Sequence, residues 1–152
     1  MGGKKVQGRK RHYLVDTEGN LLAVLVHEAD VNDREGARWL LVRAYGPWRS
    51  LQKLWADQGY TGDLAEWLRA EYGIDLEIVT KAADQQGFVV LPRRWVVERT
   101  IGWTGRSRRL SKDYEHWPEN SESWIYLASI HRLLKRLAPD PMAEPPYVRK
   151  AA

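Results

Sequence analysis

Residues 53–62, KLWADQGYTG, indicate the fold class, because an apolar segment typical of a strand is followed within a few residues by a turn. Residues 53–56 predict a short buried strand, and Gly59 allows the chain to turn just after Asp57. Thr61 is then the predicted N-cap of a helix with apolar residues at helical spacing, at Leu64, Trp67, Leu68 and Tyr72. A strand that passes through a turn into a helix is typical of an α/β protein.

Two apolar segments upstream of this stretch predict a β-hairpin. Residues 12–16 and 21–27 are strand candidates, and residues 17–20 contain the glycine and asparagine that turns favour. The second segment is apolar almost without interruption, so we expect both of its faces to be buried. Asn32 or Asp33 then caps a predicted helix that runs to about residue 44.

The downstream half continues the alternation of strands and helices. Residues 76–79 predict a strand, and residues 81–92 predict a loop that includes a short strand at 88–91. Two further helices are predicted to begin near residue 93 and near residue 120. The order β-β-α-β-α-β-α-α indicates an α/β sheet with helices on its faces.

The composition is that of one soluble globular domain. The 152 residues are 43% hydrophobic and 29% charged, and no apolar run reaches the length of a membrane span. No apolar stretch follows the charged N-terminus, which argues against a secretory signal, and cysteine-based sites are excluded because the chain has no cysteine. We expect one domain over residues 1–137, with most of the eight tryptophans in its core, and a proline-rich, disordered tail over residues 138–152.

The positive charge is concentrated in two blocks. Residues 1–12 hold five basic residues and no acidic one, and residues 93–113 hold seven basic residues against Glu98 and Asp113. Arginine suits phosphate, because the planar guanidinium can bind two phosphate oxygens at once. The blocks therefore indicate a nucleic-acid partner, although a solvated surface or a basic tail gives the same pattern.

Two acidic residues are candidates for chemistry. Asp57 follows a predicted strand, and ligand sites of α/β sheets form outside the carboxyl ends of their strands; a turn aspartate that accepts hydrogen bonds from backbone amides is the simpler alternative. Glu98 lies in an apolar helix turn with Arg94 four residues before it. It is either the partner of Arg94 in a surface ion pair or a metal-binding carboxylate among phosphate-binding arginines, as two-metal phosphoryl transfer requires.

Several short segments together resemble the C-terminal part of bacterial insertion-sequence transposases of the DDE class, close to the insertion-sequence family numbered five. Each segment is a weak signal alone, but together they follow the order and spacing of that family from about residue 3 to residue 137. They are residues 3–12, 14–17, 56–60, 94–99, 105–106, 108–110, 113–115 and 121–137.

The resemblance implies a fold, a reaction and its cofactor. The fold is an RNase H-like catalytic core, and the reaction is DNA transposition, in which Mg²⁺ or Mn²⁺ ions held by two aspartates and a glutamate support DNA cleavage and strand transfer. Asp57 matches the second catalytic, metal-binding aspartate and Glu98 the glutamate. The implied partner is DNA, both transposon ends and target, in the bacterial cytoplasm at the nucleoid, with no membrane association.

The basic signature around the glutamate matches only in part. Related transposases have Tyr-x2-Arg-x3-Glu-x6-Lys, and here Arg94 fits the arginine whereas Leu91 and Gly105 replace the tyrosine and the lysine. The resemblance and the charge pattern together give eight expected DNA-binding residues, which are Lys10, Arg11, Arg94, Arg99, Arg106, Arg108, Arg109 and Lys112.

The first aspartate of the family has no counterpart here. In related transposases it lies on a strand upstream of the segment that resembles residues 3–12, and Asp16 lies too far along the chain to replace it. We therefore expect a core that lacks its first central strand, so that its neighbours either pair directly or face a gap. The chain is then inactive alone, or active when another transposase fragment or a homo-oligomer supplies the aspartate, or a module that only binds DNA.

Overall fold

The computed structural model describes residues 8–80 and 92–139, with residues 92–94 described by their backbone alone. The predicted strand at 88–91 and most of the predicted tail lie outside these ranges. No helix in the described ranges is long and apolar enough to cross a membrane.

The predicted hairpin is confirmed. Strand β1, Arg9–Val15, pairs antiparallel with β2, Leu21–Glu28. The turn between them is held by Asp16, whose carboxylate accepts hydrogen bonds from the backbone amides of Glu18 and Asn20 at 2.9 and 2.8 Å. Residues 23–27 of β2 are all buried, so the continuous apolar run does mark a strand covered on both faces.

Two helices follow the hairpin and flank, in sequence, the strand that ends just before Asp57. Helix α1, Asp33–Tyr45, begins at the predicted cap, since the Asn32 side chain accepts from the amide of Arg34. Strand β3, Lys53–Ala56, leads through a 3₁₀ turn at Gln58–Tyr60 into α2, Leu64–Tyr72. Thr61 is not the N-cap of α2: the residue before this helix is Asp63, because the 3₁₀ turn uses up the residues after Asp57.

The rest of the described chain contains one strand, two long helices and, between these helices, a 3₁₀ turn at Arg108–Leu110. Strand β4, Asp75–Ile78, pairs parallel with β3, and Gly73 ends α2 before it with a left-handed φ of 66°. Helix α3 covers Pro92–Gly105, and α4 covers Pro118–Leu137. Helix α4 begins a few residues before the predicted Asn120 or Ser121, because Pro118 suits the first helical turn.

The strands do not form a single sheet within the described ranges. They form two separate two-stranded sheets, β1–β2 and β3–β4, and the prediction of one sheet is wrong for this part of the chain. Helix α1 packs on β2, and α3 contacts both β1 and β3. Within residues 8–80 and 92–139, β1 and β3 do not pair with each other, and a space separates them.

Strand β2 lies between two hydrophobic clusters. One cluster joins Leu25 to leucines of α1 and α2, including Leu40 and Leu64. The other joins Val24 and Val26 to Leu110 and to Ile125 of α4. This two-sided packing is what the apolar sequence of β2 requires.

The outer surface of the molecule is more aromatic than expected. Most of the tryptophans are not core residues, and the exposed ones are Trp39, Trp48, Trp95, Trp117 and Trp124. Several apolar residues of α4 are exposed as well, namely Leu127, Ile130 and Leu134. The reason is that α4 faces β2 with small and polar residues around Ile125 instead.

Candidate functional site

A cleft of about 760 Å³ occupies the gap between β1 and β3. Its walls are the length of β1 on one side, β3 on the other, and residues of α1, α2 and α3. The lining is mainly apolar, but three carboxylates reach it, those of Asp16, Asp57 and Glu98. The structure thus brings the two sequence-predicted catalytic residues to the same cleft.

Asp57 is placed by the end of β3. Its side chain is the N-cap of the 3₁₀ turn and accepts from the amide of Gly59 at 2.9 Å, which fixes the side chain relative to the strand. The residue is exposed, so its second oxygen can reach a ligand. Asp57 is therefore both the turn aspartate of the simpler alternative and a carboxylate at the carboxyl end of a parallel strand.

Asp33 is an acidic neighbour of this turn. From the sequence, Asp33 was predicted only as a possible cap of α1. Oxygens of Asp57 and Asp33 lie 3.1 and 3.4 Å from the position that a Cβ on Gly59 would occupy, so the glycine keeps the space between the two carboxylates open. Asp33 also forms an ion pair with Lys10 at 2.9 Å. Its place in the first turn of α1, one residue after the cap, was the only sequence signal for it.

Glu98 is presented to the cleft by α3. Val97 and Ile101 of the same helix line the cleft beside it, and Glu98 is exposed rather than enclosed by its apolar neighbours. The side chain of Arg94 lies outside the described part of the chain, so the Arg94–Glu98 ion pair stays a prediction.

Asp16 is at the cleft but its oxygens are already used. Besides the two backbone bonds of the hairpin turn, it accepts from the Asn20 side chain at 2.8 Å. Burial opposes ionisation of Asp16, but the hydrogen bonds from Asn20, Glu18 and Gly19 outweigh this and hold its pKa below the ordinary value. Asp16 therefore stabilises the turn.

A buried histidine pair supports the turn that carries Asp57. The rings of His12 and His27 stack with centroids 4.8 Å apart, and Nδ1 of His12 lies 2.7 Å from the hydroxyl of Tyr60. Burial, together with the neighbouring His27, lowers the pKa of His12 to about 4. Burial and the charge of Asp57 raise the pKa of Tyr60 to about 12, so both groups are neutral near pH 7.

The expected DNA-binding residues have different surroundings. Lys10 is paired with Asp33, and Arg109 is paired with Glu115 at 2.6 Å, so neither presents an uncompensated charge. Arg11 lines the cleft and donates to the carbonyl of Leu110. The remaining described residues of the set are Arg99, which stacks on Trp103, and the exposed side chains of Arg106, Arg108 and Lys112.

A complete metal site is not formed within residues 8–80 and 92–139, where no three His, Cys, Asp or Glu side chains converge to hold an ion. Asp57 and Glu98 do offer carboxylate oxygens, the ligands that Mg²⁺ and Mn²⁺ prefer, at the surface of one cleft. The chemistry of these two side chains fits a divalent ion.

The chain is similar to known transposases. The family model described as "Transposase DDE domain" matches residues 1–133. The chain is also 31% identical over 116 residues to a protein of Burkholderia cepacia named "Putative transposase for insertion sequence element IS402". That match covers 71% of this chain and 54% of the relative, so the chain spans about half the length of the relative. No solved structure matches the chain. The chain belongs to the bacterial insertion-sequence transposases that carry a DDE domain.

Proposed function

We propose that this chain forms most of an RNase H-like catalytic core that acts in DNA transposition, by metal-dependent cleavage and joining of DNA. The observation that carries the proposal is that Asp57 and Glu98, more than 40 residues apart in sequence, line one cleft. The membership of the chain in a transposase family supports DNA as the substrate.

The divalent ions implied by the family would be held by Asp57 and Glu98. When bound, Mg²⁺ or Mn²⁺ stabilises the negative charge on the attacking and leaving oxygens of a phosphate. The hydrogen bond from the amide of Gly59 orients Asp57, and the helical backbone of α3 orients Glu98. Basic side chains near the cleft, such as Arg11, would position the DNA backbone.

A further strand between β1 and β3 is the second part of the proposal. Each of the two sheets has one strand beside the cleft, and a strand in this place could hydrogen-bond to both edges and cover the apolar lining. The same strand would supply the carboxylate that the described residues do not bring to Asp57 and Glu98. We infer that this strand comes from a transposase segment other than residues 8–80 and 92–139, or from another copy of the protein.

Plasmid nicking tests this proposal. We expect residues 1–152 alone to leave supercoiled DNA intact with Mg²⁺ or Mn²⁺. Addition of the part of the Burkholderia cepacia relative that lies outside the match should restore metal-dependent nicking, and Glu98→Gln should abolish it. Nicking by the chain alone, lost in Glu98→Gln, would contradict the missing ligand; restored nicking that survives Glu98→Gln would contradict the glutamate's role.

A module that only binds DNA is the second candidate function. The observation that favours it is the lack of three converging metal ligands in the described ranges. It predicts salt-sensitive DNA binding without nicking under any complementation, because phosphate contacts release counterions whereas no metal would be held.

A further inference from the structure

A second cleft, of about 700 Å³, lies between α3, α4 and the turn of the β1–β2 hairpin. Among the described residues, its lining has five cationic side chains and one carboxylate, that of Glu18. The cationic residues are Arg99 of α3, Arg106 directly after α3, and Arg132, Lys135 and Arg136 of α4. Only Arg99 and Arg106 belong to the basic blocks of the sequence; the other three lie along α4 at positions that share one helix face.

Trp103, which also lines the cleft, forms cation–π contacts with two of these arginines. The guanidinium groups of Arg99 and Arg132 lie 4.7 and 4.1 Å from the centre of its indole ring. Such contacts fix a guanidinium group without neutralising its charge. The tryptophan therefore joins the cations of α3 to those of α4.

Neutral oxygens, rather than carboxylates, hold most of the arginines in place. Arg99 donates to the carbonyl of Glu18 at 2.9 Å, and Arg132 donates to the carbonyl of Gly19 at 2.9 Å. Arg136 donates to Asn20 at 2.9 Å and reaches the Glu18 carboxylate at 3.3 Å. A carbonyl oxygen leaves the positive charge in place, so this cleft keeps an excess of cations.

The cationic side chains of this cleft repel one another, and a bound anion would reduce that repulsion. Burial lowers the pKa of Arg132, and the charges of Arg136 and Arg99 lower it further. In the described ranges, neither Arg106 nor Lys135 has a carboxylate within ion-pair distance. The number of cations exceeds what a single phosphate would neutralise, which favours a polymer with several phosphates.

We propose that this second cleft, between α3 and α4, binds the sugar-phosphate backbone of DNA. The inference rests on the proposed function and extends it, because Arg99 directly follows Glu98 on α3. DNA held here would lie against the same helix that presents the proposed metal-binding carboxylate.

The test compares two double variants in binding to labelled DNA in the presence of EDTA. Arg106→Gln/Lys135→Gln removes two cleft charges from side chains without ion-pair partners among the described residues. Arg49→Gln/Arg69→Gln removes two exposed charges elsewhere, of which that of Arg69 is paired with Asp75 at 2.7 Å. Between about 50 and 200 mM salt, the cleft variant should lose about tenfold or more in affinity, and its log–log salt slope should fall by about two.

Three outcomes would overturn the inference. They are an unchanged salt slope in the cleft variant, an equal loss in the control variant, and equally strong competition by polyglutamate, which would mean that the cleft binds acidic peptides. Because EDTA removes divalent ions, this result is independent of Asp57 and Glu98. Retained binding to the cleft with no complemented nicking would refute the proposed function alone.

Discussion

The hydroxyl group of Tyr60 lies 2.7 Å from Nδ1 of His12, which joins the turn after β3 to strand β1. Both residues line the cleft between the two sheets, and within the described ranges these sheets share no ladder. This hydrogen bond is therefore one of the links that set the position of Asp57 relative to β1. It also satisfies a ring nitrogen of a histidine that is 5% exposed.

Removal of this hydroxyl group should weaken the fold. Tyr60→Phe leaves Nδ1 of His12 buried without that partner, and we expect the free energy of unfolding to fall by about 1–2 kcal/mol. Urea denaturation at pH 7 measures it. Tyr114→Phe is the matched control, since Tyr114 is 57% exposed; equal effects of the two substitutions would show that the Tyr60 bond adds nothing.

Acid should destabilise the protein through His12. Its pKa is about 4 in the folded chain and 6.5 ordinarily, so between these values the unfolded state binds more protons. The contribution is therefore complete above pH 6.5 and is lost as the pH falls toward 4, by at most about 3 kcal/mol. Urea denaturation from pH 7 to pH 4.5 should show a shallower loss for His12→Gln than for the wild type. Identical pH profiles would contradict the assignment to His12.

Substitution by alanine at two helical glycines should change the stability of the protein in opposite directions. A Cβ on Gly36 would lie 2.6 Å from Nε2 of His12 and would also overlap His27, so Gly36→Ala should cost about 1–3 kcal/mol. Gly102 of α3 has open space at the same position, and Gly102→Ala should stabilise the protein by about 0.5–1 kcal/mol. Thermal unfolding of both variants checks the pair; a stabilising Gly36→Ala would contradict the close packing at the histidines.

Glu122 should be a main link between α4 and the hairpin. Its buried carboxylate accepts from the backbone amide of Val26 at 2.9 Å and from Arg43 of α1 at 2.6 Å. Glu122→Ala leaves that amide unpaired and should cost about 2 kcal/mol. Glu122→Gln keeps an oxygen for Val26 and should cost less. If both variants lose the same free energy of unfolding in urea denaturation, the charge of Glu122 is what stabilises the protein, and not the hydrogen bond from the Val26 amide.

The sequence predicted those parts of the fold that depend on local chemistry. The hairpin, the Asn32 cap and the strand before Asp57 follow from turn residues, capping residues and short apolar runs, and each is confirmed. Thr61 failed as a cap because Asp57 caps a 3₁₀ turn first, which local patterns do not distinguish from a helix start.

The features that depend on tertiary packing could not be predicted in the same way. Apolar periodicity gives the apolar residues of a helix but not which of them face a neighbour, and α4 packs through Ile125 and Glu122 while Leu127 and Leu134 stay exposed. The second cleft was missed for a related reason: Arg99 and Arg132 meet at Trp103 only after α3 and α4 come together. The shared cleft of Asp57 and Glu98 was expected from the family resemblance, not from the spacing of the two residues.

Measurement of Mn²⁺ binding shows whether Asp57 and Glu98 together hold a divalent ion. Electron paramagnetic resonance would measure the Mn²⁺ affinity of the wild type and of Asp57→Asn, Glu98→Gln and Glu71→Gln, the last of which removes an exposed charge of α2 outside the cleft. We predict that the first two substitutions each weaken Mn²⁺ binding and that Glu71→Gln leaves it unchanged. Equal Mn²⁺ affinity in all four proteins would contradict the assignment of both carboxylates.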